Sequence, residues 1–116
     1  MQESLELETR LFEMHAALCQ TLANPVRLRI LNALTDSEKS VNKLVELIGA
    51  PQANISQHLA VLRDRNVVAA RRDGVSIYYS IANPKIIKAC NLIREVLFEQ
   101  MAATGQLAKR YERLAK

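Results

Sequence analysis

Hydrogen-bonding amide and hydroxyl side chains are concentrated in the segment that follows Pro51. There the apolar residues Ile55, Leu59 and Leu62 are spaced by four and three positions, which places them on one face of a helix and predicts that this face is buried. Burial of each would stabilise the fold by roughly 1.5–3 kcal/mol. The opposite face carries small and polar residues, namely Ala53, Gln57, Ala60 and Asp64, with Asn54 and Ser56 at its flanks. Amide groups on such a face have the chemistry to hydrogen-bond with base edges in the major groove of DNA.

Thiol and imidazole groups form a second set of chemically active side chains. The chain has two cysteines, Cys19 and Cys90, and His15 precedes Cys19 by one helical turn. Cysteines so far apart in an intracellular chain favour free thiols over a disulfide. Three interpretations stay open, since the thiols could be small buried apolar groups, could be oxidised as sensors, or could join His15 in a site for a metal ion or arsenite.

Amphipathic helices and their caps must position these groups. Apolar residues recur at helical spacing over about residues 4–23, after which Asn24 and Pro25 end the first helix and begin the second. A turn is predicted at residues 35–40. Ser40 then caps a third helix, which Gly49 ends just before the polar segment described above. The third and fourth helices together form a helix-turn-helix over residues 40–66.

A β-hairpin is predicted directly after the helix-turn-helix. Asn66 is the expected left-handed residue at the end of the fourth helix, and residues 67–82 form two β-rich runs around Asp73 and Gly74. A hairpin in this place is a wing. The predicted fold class is therefore mainly α with a small β-hairpin, a winged helix-turn-helix of five helices.

The fifth helix begins at Asn83-Pro84 and is predicted over about residues 84–115, with a break or bend near Gly105. A second amphipathic piece after this break has Leu107, Tyr111 and Leu114 as its apolar residues. Both the first and the last helix are apolar along their length and need a surface beyond one small core. The simplest solution is a homodimer whose interface is formed by these two helices.

Composition narrows the class of protein further. A net charge of +4 and an isoelectric point near 9.3 suit a polyanionic partner, and the absence of Trp argues against base stacking on single strands. No Gly-rich phosphate loop and no paired carboxylates in an apolar setting are present, so neither an enzyme nor a cofactor is expected. The polar, acidic start and the lack of any long apolar run predict a cytoplasmic protein with no membrane partner.

Three segments together resemble the ArsR/SmtB family of winged-helix transcriptional repressors: LANPVRLRIL (22–31), QANISQHLAVLRDRNVV (52–68) and ARRDGVSIYYSI (70–81). The length of the chain predicts that residues 1–116 form this single winged helix-turn-helix domain. The resemblance, which extends from Leu11 to about Leu97, implies a homodimer that binds a palindromic operator in double-stranded DNA, represses transcription and is released by an inducer. A winged-helix protein-interaction module is the alternative from a different functional class.

The resemblance also assigns DNA-binding residues. Those matching the recognition positions of the family are Gln52, Asn54, Ser56, Gln57 and His58. Those expected to hold phosphates are Arg63 and Arg65 at the end of the helix and Arg71 and Arg72 in the wing. For the arginines the alternative is a solvated rim. For His58, which borders the apolar stripe, the alternative is a histidine satisfied at the edge of the core.

The sequence departs from the family at its inducer sites. Ser40, Val41 and Asn42 stand where many relatives carry a Cys-Val-Cys metal site. The positions of a zinc site between the last helices are Asn83, Lys85, Val96 and Glu99, and those of a persulfide-sensing cysteine pair are Asn32 and Phe98. No standard metal site is therefore predicted and the inducer stays unidentified, which leaves Cys19 and Cys90 as the candidate sensor residues.

Overall fold

Helices make up most of the secondary structure, and a small antiparallel sheet lies beside them. The computed structural model describes residues 1–105, 110 and 112–114, and the chain divides into two units, Met1–Asn83 and Pro84–Lys116. The first unit contains, in order, α1 (Gln2–Leu22), α2 (Pro25–Ala33), β1 (Lys39–Ser40), α3 (Val41–Ile48), α4 (Gln52–Asp64), β2 (Val68–Asp73) and β3 (Ser76–Ile81). The second unit contains α5 (Pro84–Ala102). This order confirms the predicted fold class and adds one short strand to it.

Local capping begins and ends the helices where the sequence predicts. The Asn24 side chain accepts hydrogen bonds from the backbone N–H groups of Val26 and Arg27, at 2.9 and 3.2 Å, and so begins α2. The Ser40 hydroxyl accepts one from the N–H of Lys43 at 3.2 Å and begins α3. Gly49, with φ of 79°, ends α3 in the left-handed conformation.

The end of α4 directs the chain straight into the sheet. Asn66 adopts a φ of 61°, as predicted, and its N–H donates to the carbonyl of Arg63 at 3.0 Å. The N–H of Val67 donates to the carbonyl of Leu62 at 2.8 Å. These two bonds form a Schellman motif, which satisfies carbonyls at the end of the helix and starts β2 four residues after α4.

The three strands are antiparallel and lie in the order β1-β3-β2. Asp73 pairs with Ser76, so the hairpin loop consists of Gly74 and Val75, one position later than the predicted centre. Gly74 has a φ of 63°, as the first loop residue of a type II′ turn requires. Strand β1, in the segment predicted as a turn, pairs with β3 through residues such as Lys39 and Tyr79.

The core of the first unit is formed by α2, α3, α4 and the sheet. The predicted stripe of Ile55, Leu59 and Leu62 is completely buried, at 0% exposure for each residue. The other buried apolar residues of this unit are Ile30, Leu31, Leu34, Leu44, Val67, Val68 and Tyr79. Because α4 packs against α2, α3 and β2, its inner face is anchored and its outer face is exposed.

Apolar side chains remain exposed on the first and last helices. On α1, Leu11 is 62% exposed and Met14 is 61% exposed, although both belong to the predicted apolar stripe. In α5, Ile87 and Cys90 are buried, whereas Leu92, Ile93, Val96 and Leu97 are exposed. No helix within the described ranges has the length and apolar character needed to cross a membrane.

Helix α5 stops at Ala102, and Gly105 follows with a φ of 91°, at the position where the sequence predicts a break or bend. Glycine adopts this conformation without steric cost. Residues 110 and 112–114, within the predicted second piece, are again helical. Leu107 and Tyr111, predicted as apolar residues of the piece beyond the break, lie outside the described residues.

Candidate nucleic-acid interface

The outer face of α4 presents the predicted recognition residues to solvent. Gln52, Asn54, Ser56 and Gln57 are all exposed, and all lie in the first two turns of the helix. None of their side chains is held by a hydrogen bond to another described residue. The opposite face is completely buried, so the core fixes which side of α4 faces outward, and amides there are free to pair with base edges.

His58 is placed differently from its neighbours on α4. It is half-buried, and its Nδ1 accepts a hydrogen bond from Nε of Arg27 at 3.1 Å. Burial lowers the pKa of His58 below its ordinary value of 6.5, and the nearby Arg27 charge lowers it further. The imidazole is therefore neutral at pH 7, with its proton on Nε2. This geometry favours the interpretation of His58 as a histidine satisfied at the edge of the core.

Arg27 is the residue that the sequence interpretation did not identify. Besides its bond to His58, its Nη1 donates to the backbone carbonyl of Thr21 at 3.1 Å. Arg27 lies in the first turn of α2, within the LANPVRLRIL segment that carries part of the family resemblance. In the sequence, the only signal for Arg27 is its place between the apolar Val26 and Leu28. Its partner His58 is 31 residues away in the chain, so the sequence does not reveal the pair.

Three of the four predicted phosphate-binding arginines carry charges that are open to solvent. Arg63, Arg65 and Arg72 are exposed, and no ion pair joins them to any residue in the described ranges. Arg63 and Arg65 lie at the end of α4. Arg72 lies in the wing on the same face of β2 as the buried Val68, because side chains alternate along a strand. All three cations follow the polar residues of α4 in the chain.

Arg71, the fourth arginine, is held within the protein. Its Nε and Nη2 donate to the two carboxylate oxygens of Glu38, and its Nη1 lies 3.9 Å from Oδ2 of Asp73. Its guanidinium also stacks over the ring of Tyr78. The hydrogen bond from Arg71 lowers the pKa of Glu38, and the same bond raises the pKa of Arg71. The charge of Arg71 is thus compensated before DNA is present, unlike that of Arg72.

The two candidate sensor cysteines differ in exposure. Cys19 on α1 is exposed and Cys90 on α5 is buried, and both are free thiols. The metal alternative required His15, Cys19 and Cys90 to act together. Within the described part of the chain, no group of three or more His, Cys, Asp or Glu side chains is arranged to hold a metal ion.

An anchored helix with an exposed polar face, followed at once by a β-hairpin with arginines, defines the class of winged helix-turn-helix DNA-binding regulators. The sequence matches the family model described as bacterial regulatory protein, arsR family, over residues 24–70. The chain belongs to this family of transcriptional regulators, which are not enzymes.

Relatives and solved structures agree with this assignment. The chain is 44% identical over 88 residues to the HTH-type transcriptional regulator Rv0081 of Mycobacterium tuberculosis, covering 75% of this chain and 77% of that protein. It is 39% identical over 93 residues to the transcriptional repressor PagR of Bacillus anthracis, covering 77% of this chain and 93% of PagR.

The same fold is seen in crystals and in solution. The crystal structure of Rv0081 superposes with a TM-score of 0.74 at 40% identity, covering 83% of this chain and 97% of that one. The solution structure of the homodimeric winged helix-turn-helix DNA-binding domain of Mb0332 from Mycobacterium bovis gives a TM-score of 0.75 at 28% identity. It covers 85% of this chain and 92% of that one.

Proposed function

We propose that this protein is a homodimeric, cytoplasmic repressor that binds a palindromic operator in double-stranded DNA and is released by an inducer. The observation that supports this function best is the exposed polar face of α4, set opposite a completely buried stripe. In this proposal Gln57 and Asn54 contact base edges, each good amide–adenine pair contributing about 1–3 kcal/mol of discrimination. Ser56 lies at the flank of this face, and Gln52 is exposed at the first position of the helix.

The arginines that follow this face in the chain supply the affinity that does not depend on DNA sequence. Arg63, Arg65 and Arg72 are exposed and free of ion pairs with the described residues, so their charges are available to phosphates. We assign the phosphate contacts to these three. Arg71 instead holds the wing in position through its contacts with Glu38 and Tyr78. His58 connects α4 to α2 by accepting the hydrogen bond from Arg27.

A second copy of the chain is the proposed partner for the exposed apolar side chains of α1 and α5. Leu11 and Met14 lie on one face of α1, and Leu5 and Phe12, two helical turns apart, lie on another, all more than half exposed. Two apolar faces on one helix are typical of an oligomer interface. The Mb0332 domain, a structural neighbour, is described as homodimeric. A dimer also presents two copies of α4 to the two halves of a palindrome.

For the release step we favour thiol oxidation over metal binding. Cys19 is exposed in the single chain, on the face of α1 with Leu5 and Phe12 that we assign to the dimer, and the described residues hold no metal-binding cluster. Cys90 is buried and serves in this proposal as a small apolar side chain. We expect hydrogen peroxide to release the wild-type protein from its operator, Cys19→Ser to abolish this response and Cys90→Ser to leave it unchanged. Equal responses of all three proteins would contradict a thiol sensor.

The central test of the proposed function is selection of duplexes from a random library, followed by affinity measurements on the enriched sequence over a salt series. We expect a palindrome to be enriched, and its affinity to fall steeply as salt rises because phosphate contacts release counterions. Enrichment of no palindrome at low salt would contradict the proposal and would favour the protein-interaction module instead.

A further inference from the structure

One arginine side chain connects three parts of the first unit. Arg27, in the first turn of α2, donates from Nε to Nδ1 of His58 and from Nη1 to the carbonyl of Thr21, both at 3.1 Å. Thr21 is buried and lies one residue before the end of α1. His58 lies in the middle of α4. Through Arg27, the end of α1 and the recognition helix are therefore bonded to the same side chain.

This arrangement requires a neutral imidazole. The Nδ1 atom accepts a hydrogen bond only while it carries no proton, and a protonated ring would also repel the guanidinium beside it. Helix α4 packs against α2, α3 and β2, and these elements carry the charged residues Arg27, Arg29, Lys43, Glu46, Arg71, Arg72 and Asp73. Of these, Arg27 alone perturbs His58, so no carboxylate among the described residues compensates a positive charge on the ring.

We propose that Arg27 and His58 form a positioning pair that fixes α4 relative to the α1–α2 junction, and that protonation of His58 loosens α4 and weakens binding to the operator. The inference rests on the proposed function and adds to it a dependence on acidity. Arg27 and His58 act here through the orientation of α4, and neither needs to touch DNA.

The sign of the pH effect separates this role from a direct DNA contact. If His58 contacted a phosphate, its protonation would add a positive charge and strengthen binding as the pH falls. If His58 must stay neutral to hold Arg27, protonation weakens binding. The pKa of His58 lies below 6.5, so the pair is intact above that pH and is lost as the pH falls through the lowered value.

The test measures operator affinity between about pH 8 and pH 5, the range in which histidine titrates. We expect the wild-type affinity to fall by up to about tenfold for each pH unit below the His58 pKa and for each of the two His58 rings of the proposed dimer. In His58→Asn the amide oxygen stands near the position of Nδ1 and accepts the same bond without titrating. This variant should bind like the wild type at pH 8 and should lose the pH dependence.

Two further variants complete the design. The chain has one other histidine, the exposed His15, so His15→Gln is a matched control that should keep the wild-type pH profile. Arg27→Lys retains the charge but not the forked donor that joins Thr21 to His58, so it should bind more weakly than the wild type at pH 8, and this difference should shrink as acid breaks the wild-type pair. Circular dichroism at each pH confirms that the proteins compared are folded.

The outcomes are distinguishable. Binding that tightens with acid, or an unchanged pH profile in His58→Asn, would overturn the positioning pair. Loss of the pH dependence in His15→Gln would overturn it as well, because the titrating group would then be on α1. If the folded wild-type protein binds no specific duplex even at pH 8, the proposed function fails rather than this inference.

Discussion

Arg71 and Tyr78 face each other across the β-hairpin as backbone partners, and the guanidinium carbon of Arg71 lies 5.0 Å from the centroid of the Tyr78 ring. The same guanidinium donates to both carboxylate oxygens of Glu38, just before β1. The wing is thus tied to the connection between α2 and β1 at the point where the sheet gains its third strand. Arg71 therefore positions the wing in the free protein.

We expect Glu38→Gln to increase the salt dependence of DNA binding. The substitution keeps a carbonyl oxygen but removes the charge that compensates Arg71, so this arginine becomes available to a phosphate. One additional phosphate contact in each subunit of the proposed dimer steepens the slope of log affinity against log salt by about 0.9 per subunit. The pKa of Glu38 is lowered below 4.5 by Arg71, so its carboxylate is charged at neutral pH, where the wild type and Glu38→Gln are compared. Fluorescence anisotropy over a salt series provides the measurement.

The two wing arginines provide the matched controls for this prediction. Arg72→Ala should reduce the magnitude of the salt slope by about 0.9 per subunit, because it removes one uncompensated cation from each copy of the chain. Arg71→Ala should leave the slope near the wild-type value. Equal reductions in both variants would show that Arg71 contacts a phosphate, as the family resemblance implies, and would contradict its role as a brace.

Features encoded by residues close together in the chain were predictable from the sequence. The caps at Asn24 and Ser40, the left-handed Asn66 and the buried face of α4 each depend on groups within one or two helical turns. Capping chemistry and helical periodicity are local and appear directly in a single sequence. The exposed reading face followed from the same periodicity.

Features that depend on distant pairing were not predictable in this way. Glu38 and Arg71 are 33 residues apart, and Arg27 and His58 are 31 residues apart. Strand β1 has two residues, too few for a periodic pattern, and exists because β3 offers it an edge. For the same reason the sequence predicts that Arg71 is available to a phosphate. The carboxylate of Glu38, which compensates its charge, is brought near only by the fold.

We expect Gln57→Ala to reduce discrimination between the operator and a duplex with a substituted base pair. The amide is exposed on the outer face of α4, and its loss should cost about 1–3 kcal/mol on the operator if it pairs with adenine. Affinity for unrelated duplex DNA should change little, because phosphate contacts remain. Gln20→Ala, an exposed glutamine on α1, is the control and should leave both affinities unchanged. Equal losses on operator and unrelated DNA would argue against base recognition by Gln57.

We expect Asn24→Ala to destabilise the protein by about 0.5–2 kcal/mol, the usual cost of losing a helix N-cap. The Asn24 side chain accepts hydrogen bonds from two backbone N–H groups at the start of α2, those of Val26 and Arg27. Urea unfolding at fixed protein concentration measures the change. Asn32→Ala, an exposed position within the same helix, should be neutral or slightly stabilising, because alanine has the higher helix propensity. An equal loss in both variants would contradict the capping role.

We expect Leu11→Glu to shift the protein from dimer to monomer and to weaken operator binding. Leu11 is 62% exposed on α1, and if a second copy covers it, a charge there must be buried or the interface must open. Loss of the leucine contact alone removes roughly 1.5–3 kcal/mol of dimerisation free energy per copy, which raises the dimer dissociation constant more than tenfold. Leu47→Glu on α3, where the leucine is 52% exposed, is the control and should stay dimeric. Sedimentation equilibrium measures the dimer dissociation constant of each variant. An unchanged dimer dissociation constant in Leu11→Glu would exclude this face of α1 from the interface.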